Sequence, residues 1–180
     1  PGSAIKPFVY LAALEAGYTP ATLVLDAPFV VNIPGRGKWK PANYSGKIYG
    51  PSPMRLGLEK SRNLMTVRLA EHVGIGKVIQ TSGRFGLGEN MRAELGSALG
   101  TGEVTLLDIT AAYAMLANGG LHVDPAFFDS VQDRRGKIIF RHADRPCIGC
   151  AGAEANPASP PELPDTRERV ADPLTRYQLV

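Results

Sequence analysis

A serine and a lysine three residues apart, Ser3 and Lys6 in the string PGSAIKPFVYLAALEAG, are the first side chains that could do covalent chemistry. Residues three apart on a helix face the same way, with Cβ atoms about 5–6 Å apart. A lysine amine so placed can accept the serine proton if desolvation or a neighbouring positive charge lowers its pKa. A serine at a helix start also has its own N–H among the unpaired ones, where a developing oxyanion can be held. The plain alternative is a serine N-cap followed by a solvated lysine. A second pair, Ser61 and Asn63 in SRN, could supply a proton-relaying hydroxyl and an amide to orient substrate. Its plain alternative is a turn between two helices. With eight serines and seven lysines, S-x-x-K arises by chance about 0.3 times in such a chain. Either motif alone is weak, and the two in order are more suggestive.

Other chemistries find less support. Gly-Lys pairs occur at 37–38, 46–47, 76–77 and 136–137, none followed by Ser or Thr, so no Walker loop is present. No complete G-x-G-x-x-G occurs. His72, His122 and His142 show no metal-ligand spacing. Cys147 and Cys150 form one CIGC, which lacks four zinc ligands even with His142 added. A local disulfide or two free thiols is the simpler reading. No metal and no cofactor are expected.

The elements that must position these groups follow from composition and pattern. With 180 residues and 44% apolar content, the chain can bury a sizeable core. The net charge of +3 is spread over scattered Lys and Arg without interleaved aromatics, which argues against nucleic acid. No apolar run reaches membrane-span length and no signal peptide is seen.

Residues 4–16 read as a helix with Phe8, Leu11, Ala12 and Leu14 on one face and Gly17 as its stop. From Thr19 to Pro53 dense turn punctuation predicts a long irregular segment with one short strand at FVVNI. Helical pattern returns at MRLGLEK, breaks at SRN, resumes through LMTVRLAEHVG and recurs in GKVIQTSGRFG. In TLLDITAAYAMLANGG, Thr105 is the expected N-cap, Asp108 completes a capping-box-like start, and Asn118-Gly119 ends the helix. AFFDSVQD and KIIFRH predict a hairpin turning at Arg135-Gly136. Three regions are expected: a domain over 1–150, a proline-rich linker or disordered loop over 151–173, and the start of a cut helix over 174–180.

Three long phrases carry a resemblance: PGSAIKPFVYLAALEAG, WKPANYSGKIYGPSPMRLGLEKSRNLMTVRLAEHVG and ALGTGEVTLLDITAAYAMLANGGLHVDP. They resemble the transpeptidase domain of class A penicillin-binding proteins, closest to the 1A type, densely over about residues 1–142. RPCIGC also resembles a feature of 1A-type proteins from Gram-negative bacteria. The resemblance implies that Ser3 matches the acylated nucleophile and Lys6 its general base. It implies that Ser61 helps proton transfer and that Asn63 orients the peptide amide. The third family motif, K-[ST]-G, does not occur in this sequence; QTSG at 80–83 and GTG at 100–102 lack the lysine.

The implied fold is α+β: a predominantly helical fragment of a penicillin-binding-protein/β-lactamase-like transpeptidase domain, lacking most of the central antiparallel sheet. The strands before Ser3, a glycosyltransferase domain and a membrane anchor are expected upstream, and K-[ST]-G beyond Val180. The implied partners are a peptidoglycan stem peptide and β-lactams, at the periplasmic face of the bacterial inner membrane. The 180-residue chain alone is expected to be nearly inactive and to self-associate through exposed core surface. The competing readings are a non-catalytic interaction module of the same fold and an unrelated Ser–Lys hydrolase.

Overall fold

A helix that is apolar on every side must be covered on every side. Helix α1 (Lys6–Glu15) meets that condition, with Phe8 to Leu14 all buried. It is the spine of the computed structural model, which describes residues 1–33, 35, 37–89, 91–142, 147–148 and 162–180. After α1 come β1 (Leu23–Asp26), β2 (Val31–Ile33), β3 (Gly37–Trp39), β4 (Gly50–Pro53), α2 (Met54–Glu59), α3 (Asn63–Val73) and α4 (Ile75–Arg84). Then follow α5 (Leu106–Ala117), β5 (Ser130–Gln132), β6 (Ile138–Arg141) and α6 (Pro173–Leu179). The architecture is α+β and predominantly helical, and the sheets among the described residues are three two-stranded antiparallel ribbons.

Two units divide the chain, one of Pro1–Val123 with Arg169–Val180 and one of Asp124–Glu168. In the first, Val9, Tyr10, Ala13 and Leu14 of α1 pack with Met65, Leu69 and Val73 of α3 and Val78 of α4. On its other side Phe8 and Leu11 pack with Phe85, Ala112, Met115 and Val170. Phe8 meets Phe85 edge-on at 5.1 Å and Tyr113 at 5.9 Å. The expected single helix over 4–16 divides into a 3-10 turn, Gly2–Ile5, and α1. Gly17, at φ 92°, closes α1: its N–H reaches Leu14 O, and that of Tyr18 reaches Ala13 O.

Residues 19–53 hold four short strands rather than one. β1 runs against β4 with Leu23 opposite Pro53 and Asp26 opposite Gly50, and β2 pairs with β3. The sequence conceals the first ribbon because β4 is GPSP, and proline argues against a strand unless it lies at an edge. α5 starts as its sequence predicts, with the Asp108 N–H donating to Thr105 Oγ1 at 3.1 Å.

In the second unit β5 and β6 form the expected hairpin, shorter than its apolar run suggests. Asp133 Oδ1 accepts the N–H groups of Arg135 and Lys137, and Gly136 adopts φ 82° in the turn. Phe128 and Phe140 meet edge-on at 5.5 Å. Cys147 is disulfide-bonded. Cys150, and residues 151–161 of the expected linker, lie outside the described residues.

Candidate active site

Where α2 ends, the chain must turn sharply into α3, and it does so at Ser61. The N–H of Ser61 donates to Leu58 O at 3.0 Å and that of Arg62 to Gly57 O at 2.8 Å. This is the helix C-terminal motif in which the residue after the cap is left-handed, a place normally taken by glycine. Here it is serine, at φ 50°, the one non-glycine residue with positive φ among those described. The left-handed backbone costs an L-residue about 1–2 kcal/mol, and it leaves Ser61 exposed at the surface. Asn63 then begins α3. Gly57 allows α2 to lie close to α1, since a Cβ there would run into the Tyr10 hydroxyl and Met65.

Lys6 comes to the same place from below. It opens α1 and is only 1% exposed. Its Nζ donates to Ser61 O at 2.7 Å, to Ser61 Oγ at 2.9 Å and to Asn63 Oδ1 at 2.7 Å. Three acceptors match the three hydrogens of an ammonium. Burial nevertheless disfavours the charge and pushes the lysine down to about 8. The solvated lysine of an ordinary helix start is therefore not what the structure contains. Nor does the serine cap the helix, for neither the 3-10 turn nor α1 has a side-chain cap.

Ser3 is exposed in the 3-10 turn directly before α1. Ser61 Oγ donates to Ser3 Oγ at 3.0 Å. Two hydroxyls and an amine thus form a line, Ser3–Ser61–Lys6, with the Asn63 amide oxygen on the lysine. The turn itself is held from two sides. Gly2 N–H donates to Gly100 O at 3.2 Å, and Tyr113 Oη donates to Ala4 O at 3.0 Å. Gly100 is left-handed at φ 80°, and a Cβ on it would strike the Gly2 backbone.

All four residues singled out by spacing, Ser3, Lys6, Ser61 and Asn63, are thus joined by hydrogen bonds. One detail differs from the simplest expectation: the amine meets the first serine through the second hydroxyl. Chemically, the arrangement offers an exposed hydroxyl with a buried amine one relay away. That suits serine attack on an acyl carbon. Sequence reasoning passed over Arg62, Asn43, Gly100 and Tyr113. Arg62 is the unspecified middle of S-x-N, and Asn43 lies in a run that reads as turn punctuation. Only their partners across the fold give them a role.

Known proteins are similar to this chain in sequence and fold. A family model for the penicillin binding protein transpeptidase domain matches residues 1–164. Penicillin-binding protein 1A of Rickettsia conorii is 44% identical over 182 residues, which cover 99% of this chain and 23% of that protein. The same-named protein of Pseudomonas aeruginosa is 34% identical over 174 residues, 96% of this chain and 19% of that one. The 2.6 Å crystal structure of penicillin-binding protein 1A from Haemophilus influenzae matches with a TM-score of 0.73 at 36% identity. That match covers 78% of this chain and 21% of that one. An imipenem acyl-enzyme complex of penicillin-binding protein A from M. tuberculosis matches 99% of this chain and 41% of that one. Its TM-score is 0.74 at 21% identity, a likeness of fold.

Proposed function

This chain belongs to the penicillin-binding-protein transpeptidase family, and from that premise we propose that it carries the nucleophile-bearing part of a D,D-transpeptidase site of the 1A type. The observation that carries the reading is the line Ser3 Oγ–Ser61 Oγ–Lys6 Nζ, at 3.0 and 2.9 Å.

With Lys6 protonated, two of its hydrogens point at Ser61 and one at Asn63, and the Ser61 hydroxyl points at Ser3. Loss of one lysine proton frees a lone pair and lets both hydroxyls turn round. Ser3 then donates to Ser61 and Ser61 to Lys6. As Ser3 Oγ forms its bond to the carbonyl carbon of a D-alanyl-D-alanine peptide, its proton passes along this line to the amine. The proton is later delivered to the leaving nitrogen, the C–N bond breaks and free D-alanine departs, leaving an ester on Ser3. An amine of a neighbouring stem peptide attacks that ester and restores the serine. A β-lactam reacts with the same hydroxyl, its amide bond opening to give a penicilloyl ester. Asn63, whose oxygen accepts from Lys6, is given the further task of holding the substrate amide in this reading. No cofactor enters these steps.

The K-[ST]-G motif does not occur in the 180-residue chain. The loss of oxyanion donors alone costs on the order of 10²–10³ in rate, so the 180-residue chain by itself is expected to be nearly inactive. The parent is read as a membrane-anchored enzyme of the periplasmic face that also carries a glycosyltransferase.

Full-length protein labelled with a fluorescent penicillin tests the reading. One label per chain is expected, and none after Ser3→Ala. Labelling by general serine reagents together with indifference to penicillin would instead favour an unrelated Ser–Lys hydrolase.

A further inference from the structure

We propose that Asn43, braced by Asp26 and Arg62, is a positioning residue for the acylation step, setting where Asn63 stands relative to Lys6. The proposal rests on the acyl-serine reading above.

Asn43 is almost fully buried, and each polar atom of its amide is used. Its Oδ1 accepts the Leu64 N–H at 3.2 Å, while Nδ2 donates to Asp26 Oδ1 at 2.7 Å and to Lys47 O at 2.9 Å. Flipping the amide would set donor against donor at Leu64 and oxygen against carboxylate at Asp26, so one orientation is enforced. The residue before it works with it: Ala42 O accepts Asn63 Nδ2 at 2.8 Å. Residues 42 and 43 therefore grip residues 63 and 64. The Asn63 amide is oriented by that grip, with its oxygen turned to Lys6 at 2.7 Å.

The Leu64 N–H is one of the donors that any helix start leaves unpaired. A local Ser, Thr or Asp at the N-cap usually supplies the acceptor. Arg62 holds the N-cap here and its side chain makes no capping bond, so the acceptor comes from 21 residues away. That choice links the start of α3 to β1, where Asp26 is fully buried. Asp26 Oδ2 lies 3.6 Å from Arg62 Nε. Arg62 Nη1 donates to Ser52 Oγ at 2.8 Å, and its guanidinium carbon sits 4.1 Å from the centre of the Tyr49 ring. Arg62 is the residue between Ser61 and Asn63. Its side chain is thus tied to two strands of the β1–β4 ribbon while its backbone carries both site residues. Any slackening would reach Asn63, whose oxygen accepts from Lys6.

A double-mutant cycle on the full-length protein tests this. The first-order acylation constant and the preceding binding constant are measured by rapid mixing with a fluorescent penicillin. The four proteins are wild type, Asn43→Ala, Asn63→Ala and the double variant. Displacing a reacting geometry by about 1 Å costs on the order of 10²-fold. Asn43→Ala is therefore expected to slow acylation about 10–100-fold in the wild-type background, with binding changed less than about threefold. In the Asn63→Ala background the same change is expected to cost less than about threefold, because the group it positions is gone.

Equal factors in both backgrounds, or no loss in either, overturn the proposal. If Asn43→Ala does not fold, Arg62→Lys decides. It keeps the charge beside Asp26 but loses the arm on Ser52, and it is expected to slow acylation by about 3–10-fold with the same dependence on Asn63. A wild type that is never acylated defeats the acyl-serine reading itself. Acylation with additive factors defeats only the positioning role of Asn43.

Discussion

Titration of Lys6 is the perturbation with the most fully determined outcome. The base form of the line Ser3–Ser61–Lys6 exists only when Lys6 is neutral. Burial brings that lysine from 10.5 down to about 8. A group with that pKa is about one-tenth neutral at pH 7 and about nine-tenths neutral at pH 9. At an ordinary 10.5 the neutral fraction at pH 7 would be about 0.03%, so burial raises it about 300-fold. The acylation constant of the full-length protein, followed by rapid mixing with a fluorescent penicillin, should rise about tenfold between pH 7 and pH 9 with a midpoint near 8. A flat profile, or a rise centred near 10.5, would refute the role given to the buried amine.

The same shift has a signature in stability. Between about 8 and 10.5 the unfolded chain holds a proton on Lys6 that the folded chain has released. Folding is therefore strengthened as pH rises through that window and weakened below it. The effect is at most about 3 kcal/mol, and solvent screening of the amine lowers it. Tyr10, buried and pushed up to about 12, acts in the opposite sense above pH 10, where the unfolded phenol ionises first. Urea denaturation is best compared between pH 7 and 10, where Lys6→Met should abolish the gain.

Other expectations follow from the same geometry. Ser61→Gly removes the relay hydroxyl but relieves the left-handed backbone at φ 50°. It should slow acylation by 10²-fold or so while raising stability by about 1 kcal/mol, read by rapid mixing and by thermal melting. Gly100→Ala puts a Cβ into the Gly2 backbone and strains a left-handed position. It should cost about 1–3 kcal/mol and move the turn that carries Ser3, so melting temperature and acylation rate should fall together. The 180-residue chain alone should label with penicillin at least about 10²-fold more slowly than the full-length protein, and equal rates would contradict that expectation.

Parts of this molecule were written plainly in its sequence. Thr105 and Asp108 mark the start of α5 because a cap involves neighbours in the chain, and Gly17 marks the end of α1 for the same reason. The break at SRN was visible as an interruption of helical pattern, and Ser3, Lys6, Ser61 and Asn63 stood out by type and spacing. Their mutual arrangement was not visible, because the bonds between α1 and the SRN turn join residues 55 to 58 positions apart. β4 was hidden by Pro51 and Pro53, which signal a turn locally but sit in a ribbon only because β1 lies opposite. Asp26, Asn43 and Arg62 were silent for a related reason. A buried carboxylate, a saturated amide and a stacked guanidinium acquire meaning from partners that no local pattern names.

The most direct test of the account maps the acylated residue. Full-length protein treated with a penicillin, digested and analysed by mass spectrometry should show one penicilloyl mass increment, on the peptide and the side chain of Ser3. An increment on Ser61 or any other residue, or undiminished acylation after Ser3→Ala, would contradict it.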